Sequence, residues 1–487
     1  MLIIWIFLVL LVFIFLYNIF QKRYPILHNY PILAQLRFLL IRIGPQLRQY
    51  IIANDREELP FSRAERDWIQ RTALGEDNYF GFGTDDQIYG IGYPIIRNAA
   101  IPYGNIPFLA SDKDIPISIP CLKVMGAFHQ RKKPYQPSSI INISAMSFGS
   151  LGANAIKSMV LGAKETGCYV NTGEGGLSSY HVSTDADIIF QIGTGYFGCR
   201  DEEGLFSLER LTALCDKYPQ IRAIEIKFSQ GAKPGKGGVL PAGKVTEEIA
   251  MIRGVPVYKD CISPNHHTEF STPGELIDFV ERIAEATGLP VGIKAAIGKT
   301  DFYEDLASEM KQRGKGIDFF SIDGGEGGTG AAPLAFADHV SLPFKLGFMR
   351  IYRIFHKQQL CERVVFIGSG KLGFPDRAVV ALALGCDLLN VAREAMIATG
   401  CIQAKKCHTG YCPTGIATHN KWLQAGLHPE VAGKQLANFI LMFRNEIAAL
   451  AHSAGYDHPG KFTMEDIEIS AGPNVFKTLK ELYDYDK

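Results

Sequence analysis

With 487 residues, 47% of them hydrophobic and 21% charged, the chain has ordinary globular composition and enough length for a large core. Lys plus Arg equals Asp plus Glu at 50 each, so no global field favours nucleic acid or an acidic surface, and nucleic-acid binding is a poor starting expectation. Ten cysteines are a small share of so long a chain. Seven are scattered and read mostly as small buried apolar residues, while Cys401, Cys407 and Cys412 cluster; that distribution fits a reducing compartment.

Residues 1–20 read MLIIWIFLVLLVFIFLYNIF, an apolar run broken only by Asn18. At 1.5 Å per residue such a run crosses a bilayer core of roughly 30 Å. A cleavable signal peptide would want basic residues before a shorter run and small residues at a cleavage site, and neither is found. Lys22 and Arg23 follow the run, so a single-pass anchor in the cell membrane with the bulk of the chain in the cytoplasm is expected. Residues 24 to about 60 mix apolar residues with Arg37, Arg42 and Arg48; an interfacial helix on the membrane and a helix packed on the following domain both fit this pattern.

From residue 139 short β-rich runs alternate with longer helical stretches. The expected strands cover 140–144, 168–171, 187–191, 223–227, 291–295, 317–322, 364–368 and 388–391, with helices over 151–165, 273–286, 302–313 and 375–384 among the connections. Eight βα units over about 250 residues predict an α/β fold, a closed (β/α)8 or TIM barrel. An open doubly wound sheet would want a GxGxxG turn after its first strand, which Ser147-Phe148-Gly149-Ser150 does not supply. The expected organisation is an anchor over 1–20, a linker and packing segment over 21–138, the barrel over 139–400, and a cysteine loop with a C-terminal helical segment over 401–470.

Residues just after these strands are polar or glycine-rich, and in a barrel they gather at one face, where such enzymes place their chemistry. Glycine there lets backbone N–H groups approach a phosphate or flavin. The stretches SAMSFGSL (144–151), NTGEGG (171–176), QGAKPGKGG (230–238), ISPNHH (262–267), DGGEGGTGAAP (323–333) and GCIQAKKCHTGYCPTGIATH (400–419) carry a further signal. Together they closely resemble the synthase domain of glutamate synthases, in the family's order.

The resemblance implies FMN at the barrel mouth, a [3Fe-4S] cluster beside it, and reductive amination of 2-oxoglutarate to L-glutamate through 2-iminoglutarate. It implies Met146, Ser147, Lys294, Gly324, Gly325, Gly327, Gly328, Thr329, Gly368, Ser369, Gly370 and Arg393 as flavin-binding. The chemistry asks for such groups independently, since a cation such as Lys294 stabilises reduced flavin and the loops after strands seven and eight are where a barrel seats phosphate. It also implies Gln230, Lys233 and Arg253 at the dicarboxylate substrate and Glu174 in proton handling.

The spacing C-x5-C-x4-C suits a three-iron cluster, with a zinc site completed by His408 as the rival. The family's glutaminase domain has no counterpart here, so ammonia is expected from solution or a partner glutaminase, and electrons from ferredoxin or a reductase subunit. Lys236 stands where the family has glutamate and Val239 where it has glutamine, and Asn265 and Thr268 also depart from the pattern, which loosens substrate identity. Two other readings stay open: an FMN enzyme acting on another amino or keto acid, lipid-linked ones included, and a non-catalytic membrane scaffold or redox sensor.

Overall fold

The computed structural model describes residues 1–21, 25–54, 56–76, 81–104 and 118–486. Lys22 and Arg23, on which the orientation argument rests, lie outside the described residues. Two compact units are formed, Met1–Trp68 and Ile69–Lys487.

In the first unit the apolar run is one helix, Leu2–Phe20, with Asn18 its one buried residue. Asn18 Nδ2 donates to the carbonyl of Pro31 at 2.6 Å. Helices Pro25–Asn29 and Leu33–Leu47 follow, then a π-helical turn, Arg48–Ile52. Helix Leu2–Phe20 is long and apolar enough to cross a membrane, with a mean hydropathy of 2.9.

The second unit is built on a closed barrel of eight parallel strands. Numbered in chain order they are β1 (Ile141–Ile143), β2 (Val170–Asn171), β3 (Ile188–Ile192), β4 (Ile221–Lys227), β5 (Val291–Ala296), β6 (Phe319–Asp323), β7 (Val365–Ser369) and β8 (Leu388–Val391). Each pairs with the next and β8 pairs with β1, so no edge is left open. All eight expected strands are present, within a few residues of the expected bounds. Nearly every strand residue is buried, because helices cover the outside while side chains fill the inside.

Local chemistry sets the helix ends. Thr272 and Glu275 form a reciprocal capping box on helix Pro273–Thr287, whose first residue is proline. The long helix Pro429–Ser453 lies against helix Ala153–Thr166 at two glycines. A Cβ at Gly162 would stand 2.9 Å from the Leu436 side chain, and one at Gly433 would stand 2.8 Å from Leu161. The chain's C-terminal part is not helical throughout: Ile467–Gly472 pairs with both Pro94–Ile96 and Val475–Thr478 in a small antiparallel sheet.

At the end of the barrel where the strands begin, Arg131 joins Asp318 (3.0 Å) and Glu281 (2.8 Å), and Asp318 also accepts from the backbone of Val291. That end is a charge-locked floor. The opposite end, where the strands finish, carries the candidate site.

Candidate active site

Lys227 ends β4, and its Nζ lies 3.1 Å from Glu174 Oε1 and 2.7 Å from Gln230 Oε1. The Gln230 amide donates to the Thr329 hydroxyl at 2.8 Å, tying the loop after β4 to the loop after β6. Glu174, Gln230 and Lys233 line one cleft with Thr194, Lys227, Lys236, Pro264 and Asn265. Burial alone would raise the Glu174 pKa, but Lys227 foremost, then Lys233 and Arg253, hold it below the ordinary carboxylate value. Burial pushes Lys233 below its usual value, with Glu174 opposing and Lys227 and Lys236 reinforcing the shift. The cleft therefore pairs one ionised acid with several ammonium groups.

Arg253 sits behind this cleft. Its guanidinium donates to the Phe148 carbonyl at 3.2 Å and lies over the Phe197 ring at 5.2 Å, while Nε has no partner. A Cβ at Gly149 or Gly175 would stand 2.9 or 2.8 Å from that guanidinium. The two glycine loops are thus laid directly on it, and its charge reaches Glu174 across them.

The rim of the barrel beside the cleft is built from backbone in contact with backbone. A Cβ at Gly231 would stand 1.8 Å from the Gly324 carbonyl oxygen. Gly370, at φ +119°, has its own Cβ position 3.0 Å from Gly324 N. Asp323, at the end of β6, binds this junction: it accepts from Ser369 Oγ (2.8 Å) and Gly231 N (3.0 Å) and lies 3.7 Å from Lys294 Nζ.

The expected flavin residues divide accordingly. The amides of Gly324, Gly325 and Gly327 donate to the carbonyls of Ser369, Leu342 and Gly324, so they hold the loop's own shape. Gly368 is glycine for packing, since a Cβ there would meet Cys386 and Phe344 at 2.9 Å. Gly328 lies against the Arg393 side chain, and Arg393 donates to the Glu326 carbonyl. Lys294, on β5, is buried and faces Asp323. Met146 packs on an apolar cluster, and the Ser147 hydroxyl donates to Ser150.

Cys401, Cys407 and Cys412 all border the cluster formed by Phe148, Leu151 and Ile416. For Cys412, burial works upward, yet backbone N–H groups of Ala417, Thr414 and Ile416 with the Thr414 hydroxyl bring the thiol below its ordinary value. Buried Lys244 donates to the Ser150 carbonyl at 2.7 Å and reaches the Cys407 carbonyl at 3.4 Å. Among the described residues, no three His, Cys, Asp or Glu side chains converge tightly enough to hold a metal ion. The donor chemistry suits an iron–sulfur cluster or zinc; the convergence is not seen.

Several residues of the site went unread in the sequence. Glu225 is fully buried inside the barrel and accepts from Asn171 (2.8 Å), Gln191 (2.6 Å) and the Ser321 hydroxyl, joining β2, β3 and β6. Its signal was Glu225 and Lys227 at i and i+2, which sets both on the same face of the strand. Tyr196, at φ +49°, accepts from Thr268 N (2.9 Å) and Glu269 N (3.4 Å) and so pins the 267–269 loop. His267 of the same loop bonds the Lys227 carbonyl at 2.9 Å, and burial lowers its pKa to about 4. His266 is exposed. No local pattern marked Tyr196, and Asp323, although it opens the DGGEGGTGAAP stretch, has partners distant in sequence that no local pattern could name.

A sequence model described as a conserved region in glutamate synthase matches residues 115–457. The chain is 37% identical to the glutamate synthase large subunit-like protein YerD of Bacillus subtilis (strain 168), across 94% of this chain and 92% of that one. It is 36% identical to the archaeal glutamate synthase [NADPH] of Methanocaldococcus jannaschii, over 65% of this chain and 59% of the relative. It is 31% identical to the ferredoxin-dependent glutamate synthase of Pyropia yezoensis, over 64% of this chain and 20% of that much longer one.

Proposed function

Since the chain belongs to the glutamate synthase family, whose members are oxidoreductases acting on CH–NH2 donors, we propose that it carries out reductive amination of 2-oxoglutarate to L-glutamate. The supporting observation is the cleft that gathers Glu174, Lys227, Gln230 and Lys233 at the finishing end of the barrel strands.

FMN fits the adjoining rim: Gly231, Gly324 and Gly370 leave no room for a Cβ, so three loops bring bare backbone together, with buried Lys294 and the Arg393 guanidinium as cations. When bound, it supplies a carrier able to deliver hydride to an imine carbon. Lys233 and Lys227 hold the dicarboxylate by charge-assisted hydrogen bonds, with Gln230 fixing its orientation through Thr329. Arg253 supports the glycine loops from behind and contributes positive potential. Forming an imine from ketone and ammonia requires a proton to leave nitrogen and water to depart. Glu174, kept ionised beside Lys227, is placed to accept and return that proton.

In this reading Cys401, Cys407 and Cys412 would hold a [3Fe-4S] cluster as the electron-carrying group, and the electrons would come from an external donor, ferredoxin or a reductase subunit. Ammonia comes from solution or a partner glutaminase. Leu2–Phe20 anchors the enzyme in the cell membrane, with its catalytic unit in the cytoplasm. The direct test supplies 2-oxoglutarate, ammonium and a chemical reductant to the purified full chain and measures glutamate. No glutamate from a flavin-loaded protein, with several donors and a glutaminase tried, would sink the reading.

One observation favours a second reading, in which the keto acid differs. Lys236 lines the cleft, and Val239 lies exposed on the antiparallel ribbon it forms with Ile262. A panel of keto acids with ammonium, scored by reoxidation of the reduced flavin, separates the two; a response to another acid and none to 2-oxoglutarate favours the second.

A further inference from the structure

The stretch after the N-terminal helix has an unusual surface. Along helix Leu33–Leu47 an apolar stripe runs through Leu33, Leu36, Leu40, Ile43 and Leu47, at alternating steps of three and four residues. A surface helix normally turns such a stripe inward. Here every member is exposed, from 37% at Leu47 to 76% at Leu33. Tyr50, Ile51 and Ile52 extend the open apolar surface through the following turn.

The charge is one-sided as well. Residues 1–54 contain no Asp or Glu, and Arg37, Arg42 and Arg48 are the charges of the helix and turn. Arg37 and Arg48 are eleven residues apart, about three helical turns, and so flank the stripe on one side. The hydrogen bond from buried Asn18 to Pro31 joins the end of helix Leu2–Phe20 to the start of this segment. The apolar surface therefore continues directly from a helix of membrane-spanning length.

We propose that Leu33–Leu47 and the turn Arg48–Ile52 form an in-plane docking surface for anionic phospholipid, the apolar stripe sunk at the acyl boundary and the three arginines at headgroup phosphates. Arginine side chains have the length to keep their stems in the apolar layer and their guanidinium groups among phosphates. The bilayer is chosen over a protein partner because the surface combines uncovered leucines, uniform positive charge and continuity with the apolar helix. This rests on the membrane-spanning reading of Leu2–Phe20 and extends it.

The test is amide hydrogen exchange on the full chain in nanodiscs of phosphatidylcholine, alone or mixed with phosphatidylglycerol. Exchange over residues 33–52 is expected to slow roughly tenfold or more in the mixed discs. The triple variant Arg37→Gln, Arg42→Gln, Arg48→Gln is expected to erase that difference, with unchanged exchange in the barrel strands showing that it folds. Slow exchange over Leu2–Phe20 together with lipid-independent exchange over 33–52 overturns this proposal alone. Fast exchange over both segments removes the spanning reading and this surface with it.

Discussion

Glu174 stays ionised because three cations outweigh the effect of its burial, so its role is decided by neighbours and not by its own chemistry. Glu174→Gln keeps the shape and removes the proton acceptor. Glutamate formation is expected to fall by about 100-fold or more while flavin absorbance is retained, as stopped-flow reduction and product assay would report. Lys227→Met should act differently: it frees Glu174 and Gln230 together, so KM for the keto acid is expected to rise alongside the loss in kcat. His267 poses the corresponding question for stability. Its folded pKa, about 4, lies below the usual 6.5, because burial disfavours the cation. It therefore stabilises the fold fully above pH 6.5 and loses that contribution as pH falls toward 4, an effect of about 3 kcal/mol. His267→Asn should flatten this part of the acid-unfolding curve; an unchanged slope between pH 6.5 and 4 would show that the ring is solvated.

The elements meet where side chains are missing. The loops after β4, β6 and β7 approach so closely that Gly231 has no space for a methyl group against Gly324. Gly231→Ala must move the Gly324 loop, and with it the hydrogen bonds that Asp323 makes to Gly231 and Ser369. Flavin release during gel filtration, with barrel circular dichroism largely preserved, is the expected outcome. Within the barrel, Glu225 is the polar fastening among β2, β3 and β6. Glu225→Leu leaves the Asn171, Gln191 and Ser321 donors buried without an acceptor, at about 1–3 kcal/mol for each group left unsatisfied. Urea unfolding checks this, and a loss under 1 kcal/mol would mean that water replaces the carboxylate.

At the scale of the whole molecule, an apolar N-terminal helix accompanies a closed barrel whose strands run from Ile141 to Val391. Removing residues 1–20 is expected to leave only the salt-sensitive attachment of residues 33–52, so that high salt moves the protein to the soluble fraction with its visible spectrum unchanged. Retention in the membrane at high salt would place a further anchor elsewhere in the chain. The closed barrel explains why loops from distant parts of the sequence share one rim: parallel strands finish at the same end, so residues 174, 230, 233 and 324 become neighbours without any local signal joining them.

Periodicity and turn chemistry were sufficient for the architecture. Buried β-branched runs such as Ile188–Ile192 between amphipathic helices leave few packings other than a barrel, and the glycine-rich strand ends already marked its working face. The grouping of Glu174, Gln230 and Lys233 was legible because each lies in a loop with its own pattern. The tertiary structure alone decided which of these residues engage each other. It made Lys227 the bridge between Glu174 and Gln230, gave Asp323 and Tyr196 their fastening roles, and assigned Gly368 to packing. The reason is physical: composition and spacing report what a segment prefers alone, whereas charge pairing, burial and backbone contact arise between segments far apart in the chain.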